Sequence, residues 1–214
     1  AKEIRLMRAE TTLQITVGVL ARLRRLYTDV KVPAAVRVLC EQINDGHPTI
    51  AWTWHRDAAQ TVAKLLSDSG VRAYGPIHGQ MSPQNREKVL LEASAADGVL
   101  IATMASLGVA VNLAWASHQV FVELDWSPPN ISQAEMRSYD GAHPIASVYM
   151  VADCIPDSRL AEILLWKLGS LGRLGLEAGV GSVASALAGT FQMNPSQTLE
   201  QLAELIVGEV DDQS

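Results

Sequence analysis

A regular alternation between short apolar runs and amphipathic segments of helical length constrains this chain more than any other feature. The runs combine β-branched and aromatic residues and are bounded by turn-forming residues, which predicts buried strands. They cover residues 49–54, 71–77, 98–103, 119–124 and 146–152, with predicted helices at 56–69, 83–95 and 158–168. Strands separated by helices need crossover connections, so the pattern favours a mostly parallel sheet covered on both faces. We therefore expect a three-layer α/β domain.

Helical patterns flank this domain on both sides. Upstream, apolar residues recur at three- and four-residue steps over 10–27, and a second helix is expected after Val32, with Pro33 in its first turn. Downstream of Gly169 the composition shifts to Gly, Ala and Leu, and no Lys or Arg follows Arg173. The chain is therefore expected to have three parts: a basic amphipathic helix at 1–30, the α/β domain at 31–170, and an acidic helical extension at 171–214.

Charge is distributed unevenly along the sequence. The net charge is −6, yet residues 1–37 hold eight Lys and Arg against three acids, a net of +5, which leaves −11 for the remainder. A field over the whole protein that attracts nucleic acid is therefore not supported. A local basic face near the amino terminus remains compatible with the sequence.

Several classes of protein are excluded by missing patterns. No GxxxxGK[ST] loop occurs, no apolar run is long enough to span a membrane, and no signal-peptide pattern opens the chain. The two cysteines lack CxxC spacing and the histidines lack metal-ligand spacing, so we expect reduced thiols and no metal site. These absences predict a cytoplasmic protein that neither spans a membrane nor carries its own phosphate-binding loop.

The carboxyl ends of the strands are the expected place for a site, because ligands of parallel α/β sheets bind beyond those ends. The loops after Trp54, Ile77, Thr103 and Leu124 all lie there if the predicted strands are correct.

One block of sequence, from Asp97 to Lys167, contains a succession of motifs. The run TMASLGVAVNL, which begins at Thr103, is followed by HQVFVELDWSP and then by QAEMR, which ends at Arg137. This succession resembles motifs V and VI of superfamily 2 helicases, and most closely those of the Snf-type DNA translocases of the annealing-helicase branch. Upstream, TIAWTWHRDAAQTVAKLL and the loop IHGQMS with Arg86 resemble the motif IV region of the same family.

The resemblance implies a second, carboxy-terminal RecA-like lobe. In that family a first lobe supplies the phosphate-binding loop and the acids that bind Mg²⁺, so ATP and Mg²⁺ would be held mainly by a lobe outside this sequence. DNA and that first lobe, in the same longer chain or in a separate subunit, are the implied partners. The chain alone is therefore expected to be inactive as a helicase, translocase or ATPase.

Individual roles follow from the resemblance. Arg137 corresponds to the arginine finger, and Gln133 and Gly108 correspond to further ATP contacts; the alternative for Arg137 is a surface ion pair. The implied DNA contacts are His55, Arg56, His78, Gly79, Gln80, Thr103, Gly108 and Asn112. For the glycines and the loop residues, ordinary turn chemistry is the alternative.

The sequence also departs from the family pattern. Asp140 stands where a second arginine is expected, Ala142 and His143 replace a glycine–glutamine pair, and Ala110 replaces the second glycine of motif V. These changes keep open a second interpretation, a catalytically degenerate RecA-like module that binds nucleic acid or protein. A third interpretation is an unrelated α/β enzyme such as a nucleotide-binding transferase. Arg outnumbers Lys by 12 to 5, which favours a GC-rich bacterial or phage source.

Overall fold

The computed structural model describes residues 25, 28, 30–106, 111–125, 127–139, 141, 143–152, 157, 160 and 164. Helix α1 covers residues 30–44, and Arg25 and Thr28 are helical as well. The elements that follow are β1 (Thr49–Thr53), α2 (Arg56–Asp68), β2 (Ala73–Ile77), α3 (Pro83–Ser94), β3 (Val99–Thr103), β4 (His118–Phe121), α4 (Pro128–Glu135) and β5 (Ala146–Tyr149). A 3₁₀ turn, Met104–Ser106, follows β3, and Asp157, Leu160 and Leu164 are helical.

The strands form one sheet with the order β2-β3-β1-β4-β5 in the described part of the chain, and every pairing within it is parallel. β1 occupies the centre, where Thr49 lies opposite Val99 of β3 and His118 of β4. Because all strands run in one direction, their carboxyl ends meet at a single edge, which we call the carboxyl edge.

Apolar side chains bury both faces of the sheet. On one face, α1 and α2 pack Leu39, Val62 and Leu66 against strand residues such as Ile101. On the other face, α3, α4 and the helical residues Leu160 and Leu164 cover Trp52 and Phe121. The predicted three-layer α/β fold with a parallel sheet is therefore confirmed.

Polar groups inside the sheet are satisfied across strands. The Trp52 indole N–H donates to Gln119 Oε1 at 3.1 Å, and Gln119 Nε2 donates to Ser147 Oγ at 2.9 Å. This chain of hydrogen bonds links β1, β4 and β5. A buried polar group left without a partner would cost about 1–3 kcal/mol, so these pairs help to fix the order of the strands.

Some predicted boundaries were wrong. The predicted first strand ran to residue 54, but β1 ends at Thr53 and Trp54 is exposed; the strands predicted to end at 124 and 152 end at Phe121 and Tyr149. Helix α1 begins before Val32, so Pro33 lies within helical residues rather than opening them.

Other predictions lie outside the described residues. These include the helix at 10–27 apart from Arg25, Gly108, Ala110, Asp140, Ala142 and the extension at 171–214. The three-part division of the chain therefore stays a prediction. Among the described helices, none has both the length and the apolar character needed to cross a membrane.

A buried ion pair joins α1 to the chain beyond β5. Lys31 Nζ lies 2.7 Å from Asp157 Oδ2, and the two side chains are 7% and 5% exposed. The same carboxylate oxygen accepts the Ala152 backbone N–H at 2.9 Å. Breaking such a pair from one side leaves an uncompensated charge in the interior, which costs about 3–5 kcal/mol, whereas replacing both partners by apolar residues is often neutral.

We expect Asp157→Ala to lower the free energy of unfolding by about 3–5 kcal/mol, because Lys31 then has no counter-charge. The double variant Lys31→Met/Asp157→Leu should recover more than half of that loss. Urea unfolding followed by circular dichroism measures both. Equal stability of Asp157→Ala and the wild type would show that the pair is not a structural requirement.

Candidate functional site

Several of the polar side chains that the sequence singled out lie at the carboxyl edge, and Glu123 joins three segments of the chain there. Glu123 follows β4 and is 1% exposed. Its Oε2 accepts the backbone N–H groups of Trp54 at 2.9 Å and His55 at 2.8 Å. Its Oε1 accepts the Thr28 hydroxyl at 2.6 Å and lies 2.7 Å from His55 Nδ1. One carboxylate therefore joins the end of β4, the turn after β1 and the beginning of α1.

The charge of Glu123 is maintained by these contacts. Burial by itself raises the pKa of the carboxyl, but the hydrogen bonds from the side chains of His55 and Thr28 and from the His55 backbone outweigh it and lower the pKa to about 2. An ionised carboxylate only accepts hydrogen bonds, so His55 Nδ1 carries the proton that points at it. The His55 side chain thus holds the turn in place and is already engaged within the protein.

A basic cluster lies where β1 and β2 end. The Arg56 guanidinium donates to Gln80 Oε1 at 2.7 Å, which connects the turn after β1 to the loop after β2. His78 directly follows β2, and its partial burial and then the charges of Arg56 and Arg86 lower the pKa of its imidazole. Within the described residues, His78 Nδ1 and Arg86 Nε have no hydrogen-bond partner. We call Arg56, His78, Gln80 and Arg86 the basic cluster.

Helix α3 presents Arg86 to this cluster through a well-formed amino end. The Ser82 hydroxyl accepts the Asn85 backbone N–H at 3.3 Å, and Pro83 opens the helix. A capping hydroxyl and a proline in the first turn are the residues that favour a helix start. Arg86 therefore lies in the first turns of α3, on the same edge as His78. The predicted contact Gly79 is exposed and lies between His78 and Gln80 in the loop after β2.

The loop after β3 is only partly described. Thr103 is buried, and the Ser106 hydroxyl lies 3.0 Å from the Ile77 carbonyl oxygen and 2.6 Å from that of Thr103. This serine joins the ends of β2 and β3. Asn112 is exposed, and its Oδ1 accepts the Ala114 backbone N–H at 2.9 Å, so the side chain closes a local turn. Gly108 lies outside the described residues.

Arg137 follows α4 in a turn rather than on the helix itself. Asp125 holds the start of α4, because its carboxylate accepts the Ser127 N–H at 2.9 Å and the Asn130 amide at 2.7 Å. At the other end, the Arg137 carbonyl oxygen accepts the Leu113 N–H at 2.9 Å, which ties this turn to the loop after β3. Burial lowers the pKa of Arg137, but a guanidinium stays charged at neutral pH. Gln133 is exposed in the last turn of α4.

The structure thus assembles the predicted residues into two groups. Arg56, His78, Gly79 and Gln80 lie together with Arg86, whereas Gln133 and Arg137 are carried by α4 and its following turn. His55 contacts Glu123, and Thr103 is buried beneath the loop surface. In the described ranges, no group of three or more His, Cys, Asp or Glu side chains forms a metal site.

Sequence reasoning missed the roles of Glu123 and Asp125 and left Arg86 out of the candidate contacts. The signal for Glu123 and Asp125 was available: both acids follow an apolar run directly, at a position where a buried acid must be held by donors. The signal for Arg86 was a cation in the first turns of a helix that follows a candidate loop.

Comparisons with known proteins agree with this architecture. Residues 31–140 match the family model described as the helicase conserved C-terminal domain. A Drosophila melanogaster protein, described as a SWI/SNF-related matrix-associated actin-dependent regulator of chromatin subfamily A-like protein 1, is 24% identical over 181 residues. That alignment covers 83% of this chain and 23% of the relative, so the chain spans about a quarter of the relative's length.

Solved structures show the same fold at low sequence identity. The C-terminal part of the Fun30 ATPase domain has a TM-score of 0.57 and 13% identity, covering 85% of this chain and 54% of that one. The RNA helicase Prp28 from Chaetomium thermophilum, bound to ADP, has a TM-score of 0.53 and 17% identity over 66% of this chain and 34% of that one. The E. coli DEAD-box protein SrmB, bound to RraA, has a TM-score of 0.51 and 18% identity over 69% of this chain and 79% of that one.

Glu123→Gln tests the role of the buried carboxylate. A carboxyl whose pKa falls from 4.5 to about 2 on folding contributes roughly 3 kcal/mol, fully present above pH 4.5 and lost as the pH falls toward 2. The variant should therefore be about 2–4 kcal/mol less stable at pH 7, and its stability should approach that of the wild type near pH 2. Urea unfolding at several pH values measures this, with Glu41→Gln on the exposed side of α1 as the control. Parallel pH profiles for all three proteins would contradict the assignment.

Proposed function

Because the helicase C-terminal model matches just over half of the chain, residues 31–140, the protein belongs to the helicase conserved C-terminal domain family, and we propose that it works as the second RecA-like lobe of an ATP-dependent DNA translocase. The resemblance to superfamily 2 lobes of the Snf type is confirmed by the family match, the fruit-fly relative and the Fun30 fold. The family match by itself covers the lobe. The translocase activity, ATP as the nucleotide and DNA as the substrate belong to the proposal.

The position of Arg137 carries the proposal. The backbone bond between Arg137 and Leu113 fixes the turn after α4 against the segment that joins β3 to β4. A planar, permanently charged guanidinium suits a phosphoryl group whose negative charge is spread over several oxygens. Half-buried Arg137 thus serves as the arginine finger, and exposed Gln133 on the preceding turn serves as a further contact to the nucleotide.

The chemistry of the described residues fits ATP held from one side. Cations and amides face the carboxyl edge, while the buried carboxylates Glu123 and Asp125 are engaged by donors within the chain. The cations and amides suit contacts to phosphate oxygens. The two carboxylates are already engaged, so the described residues offer no group of acids to bind Mg²⁺. When bound, ATP supplies the phosphoryl group whose hydrolysis drives movement, and the first lobe holds the magnesium ion. Gly108, outside the described residues, completes the proposed nucleotide contacts.

The basic cluster is the proposed DNA contact of this lobe. Arg56 and Arg86 carry permanent charge, and Gln80 and the exposed Gly79 offer amide groups. Burial and the neighbouring arginines lower the pKa of His78. Phosphate contacts from Arg, side-chain amides and backbone N–H groups position proteins on nucleic acid without reading sequence. Thr103 and Asn112 belong to the proposed surface through the loop after β3, and His55 belongs to it by holding the turn that presents Arg56.

Arg137→Ala tests the finger. The purified chain should have no ATPase activity, and activity should appear when a first lobe and DNA are added. In that complex Arg137→Ala should reduce the DNA-stimulated rate by about 10³–10⁵-fold, the effect of losing such an arginine. Arg37→Ala, on the exposed side of α1, is the control and should leave the rate unchanged.

Two outcomes would change the conclusion. Strong ATP hydrolysis by the chain alone would contradict its role as one half of a site. DNA-stimulated ATPase that survives Arg137→Ala in the complex would favour the degenerate module, which binds nucleic acid or protein without contributing to catalysis.

Removing charge from the basic cluster tests DNA binding. Each phosphate contact contributes about 0.7 to the slope of log K against log salt for single strands. Arg56→Gln/Arg86→Gln should therefore reduce the slope by about 1.4 in fluorescence-anisotropy titrations with a labelled single strand. Arg37→Gln/Lys64→Gln changes the net charge equally on exposed helix positions away from the edge, and its slope should match the wild type. Equal slopes for all three proteins would exclude the cluster as a phosphate contact.

A further inference from the structure

Trp54 gives the carboxyl edge an aromatic surface that the proposed phosphate contacts do not use. Trp52, two residues earlier, is fully buried in the sheet, whereas Trp54 directly follows the end of β1 and is 36% exposed. Single exposed apolar residues are common on protein surfaces, so the role of this one depends on its surroundings.

The backbone that carries Trp54 is fixed on both sides. The N–H groups of Trp54 and His55 both donate to Glu123 Oε2, at 2.9 Å and 2.8 Å. Just before them, the Trp52 carbonyl oxygen accepts the Val122 N–H at 2.9 Å. A tryptophan on such a backbone has only two side-chain torsions left to order when a ligand binds, so the entropic cost of the contact is small.

The basic cluster begins two residues after this tryptophan. The Cα atom of Arg56 lies within about 7 Å of that of Trp54, because two residues of chain span no more than that. The Arg56 guanidinium donates to Gln80 Oε1 at 2.7 Å, which ties the turn to the loop after β2. The acid that follows, Asp57, pairs with Arg25, so its negative charge is compensated. One turn therefore presents an aromatic side chain beside permanent positive charge.

We propose that Trp54 is a stacking platform for an unpaired base of DNA, and that the basic cluster contacts phosphates next to that base. The inference rests on the proposed function and adds the form of the substrate, a strand with at least one base outside a duplex. Aromatic side chains beside a positively charged groove bind single strands without reading sequence, because every base has a π-face. In a duplex the bases are stacked on one another and offer no face to the indole.

The net charge of the chain favours a contact that does not depend on charge. The net charge is −6, so attraction of a polyanion relies on a few cations at the edge and weakens as the salt concentration rises. Stacking of a base on an indole buries apolar faces and is not screened in this way. Trp54 thus adds affinity where the basic cluster loses it, and it distinguishes single strands from duplexes.

The test uses the full 214-residue chain and a fluorescein-labelled oligothymidylate, titrated by fluorescence anisotropy at several salt concentrations. Trp54→Ala should weaken binding about 5–150-fold, which corresponds to the roughly 1–3 kcal/mol that stacking of one base contributes. The slope of log K against log salt should keep its wild-type value, because no phosphate contact is removed. Arg56→Gln/Arg86→Gln should instead reduce the slope.

Two further ligands isolate the contribution of the base. An abasic oligonucleotide of the same length keeps the phosphates and lacks the bases, and a blunt duplex keeps its bases paired. Trp54→Ala should bind each of these ligands as tightly as the wild type does. An equal loss of affinity for all three ligands would overturn stacking as the role of Trp54.

Substitutions at the same position separate the aromatic ring from its apolar bulk. Trp54→Phe should keep most of the affinity for the single strand, whereas Trp54→Leu should resemble Trp54→Ala. This comparison decides the question even if Trp54→Ala does not fold. Leu91→Ala, at a 70% exposed position of α3, removes apolar surface elsewhere and should bind as the wild type does. Circular dichroism spectra and melting temperatures establish that each variant is folded.

Each remaining result overturns a defined part of the argument. Wild-type affinity of Trp54→Ala for the single strand overturns the stacking platform and leaves the basic cluster intact. Equal affinities of Trp54→Leu and Trp54→Phe also overturn it, because the ring is then not required. A wild-type chain that does not bind the oligonucleotide overturns the proposed DNA binding itself.

Discussion

A single buried carboxylate holds the functional edge of this domain together. Taking the Glu123 side chain out of water would be prohibitive without compensation, and the compensation comes from donors on separate segments of the chain. Because those donors belong to the turn after β1 and to the beginning of α1, satisfying one charge fixes the geometry of both. The orientation of His55 and the position of the neighbouring Arg56 both depend on this requirement. Hydrogen bonds to a buried charge thus fix the loops at this edge, whereas apolar packing holds the sheet and the helices beneath them.

The same principle recurs around the edge on a smaller scale. Asp125 secures the start of α4, Ser106 joins the ends of β2 and β3, and the Arg137 carbonyl accepts from Leu113. The Ser106 and Arg137 bonds link segments that are distant in sequence, whereas Asp125 orders the turn that leads directly into α4. Loops positioned in this way have few alternative arrangements, so a ligand does not have to spend binding energy on ordering them. Such an edge suits a lobe that must present charged groups to a ligand shared with another lobe.

Much of the fold could be predicted from sequence, because apolar runs report burial and parallel connections restrict topology. The strand centres and the helices α2 and α3 were correct, whereas most of the predicted helix at 158–168 lies outside the described residues. The ends were less accurate: hydrophobicity extends through Trp54, yet the strand stops at Thr53 because the amides beyond it bind Glu123. Grouping of the site followed from the carboxyl-edge rule, whereas the commitment of Asn112 to a local turn depends on contacts that no motif encodes. The cytoplasmic location, the bacterial or phage source and the three-part division remain predictions.

The ion pair between Lys31 and Asp157 shows that the domain defined by family similarity differs from the domain defined by packing contacts. Family similarity begins at residue 31 and ends at residue 140, whereas the thermodynamic unit extends at least to Asp157, since the first residue of the match is a buried lysine whose counter-charge lies beyond its last. β5 and the apolar contacts of Leu160 and Leu164 also lie past that limit. The boundary of the family match and the boundary of the packed domain therefore lie at different residues of this chain. A fragment that ends at residue 140 would lack the edge strand β5 and would leave Lys31 without the counter-charge of Asp157.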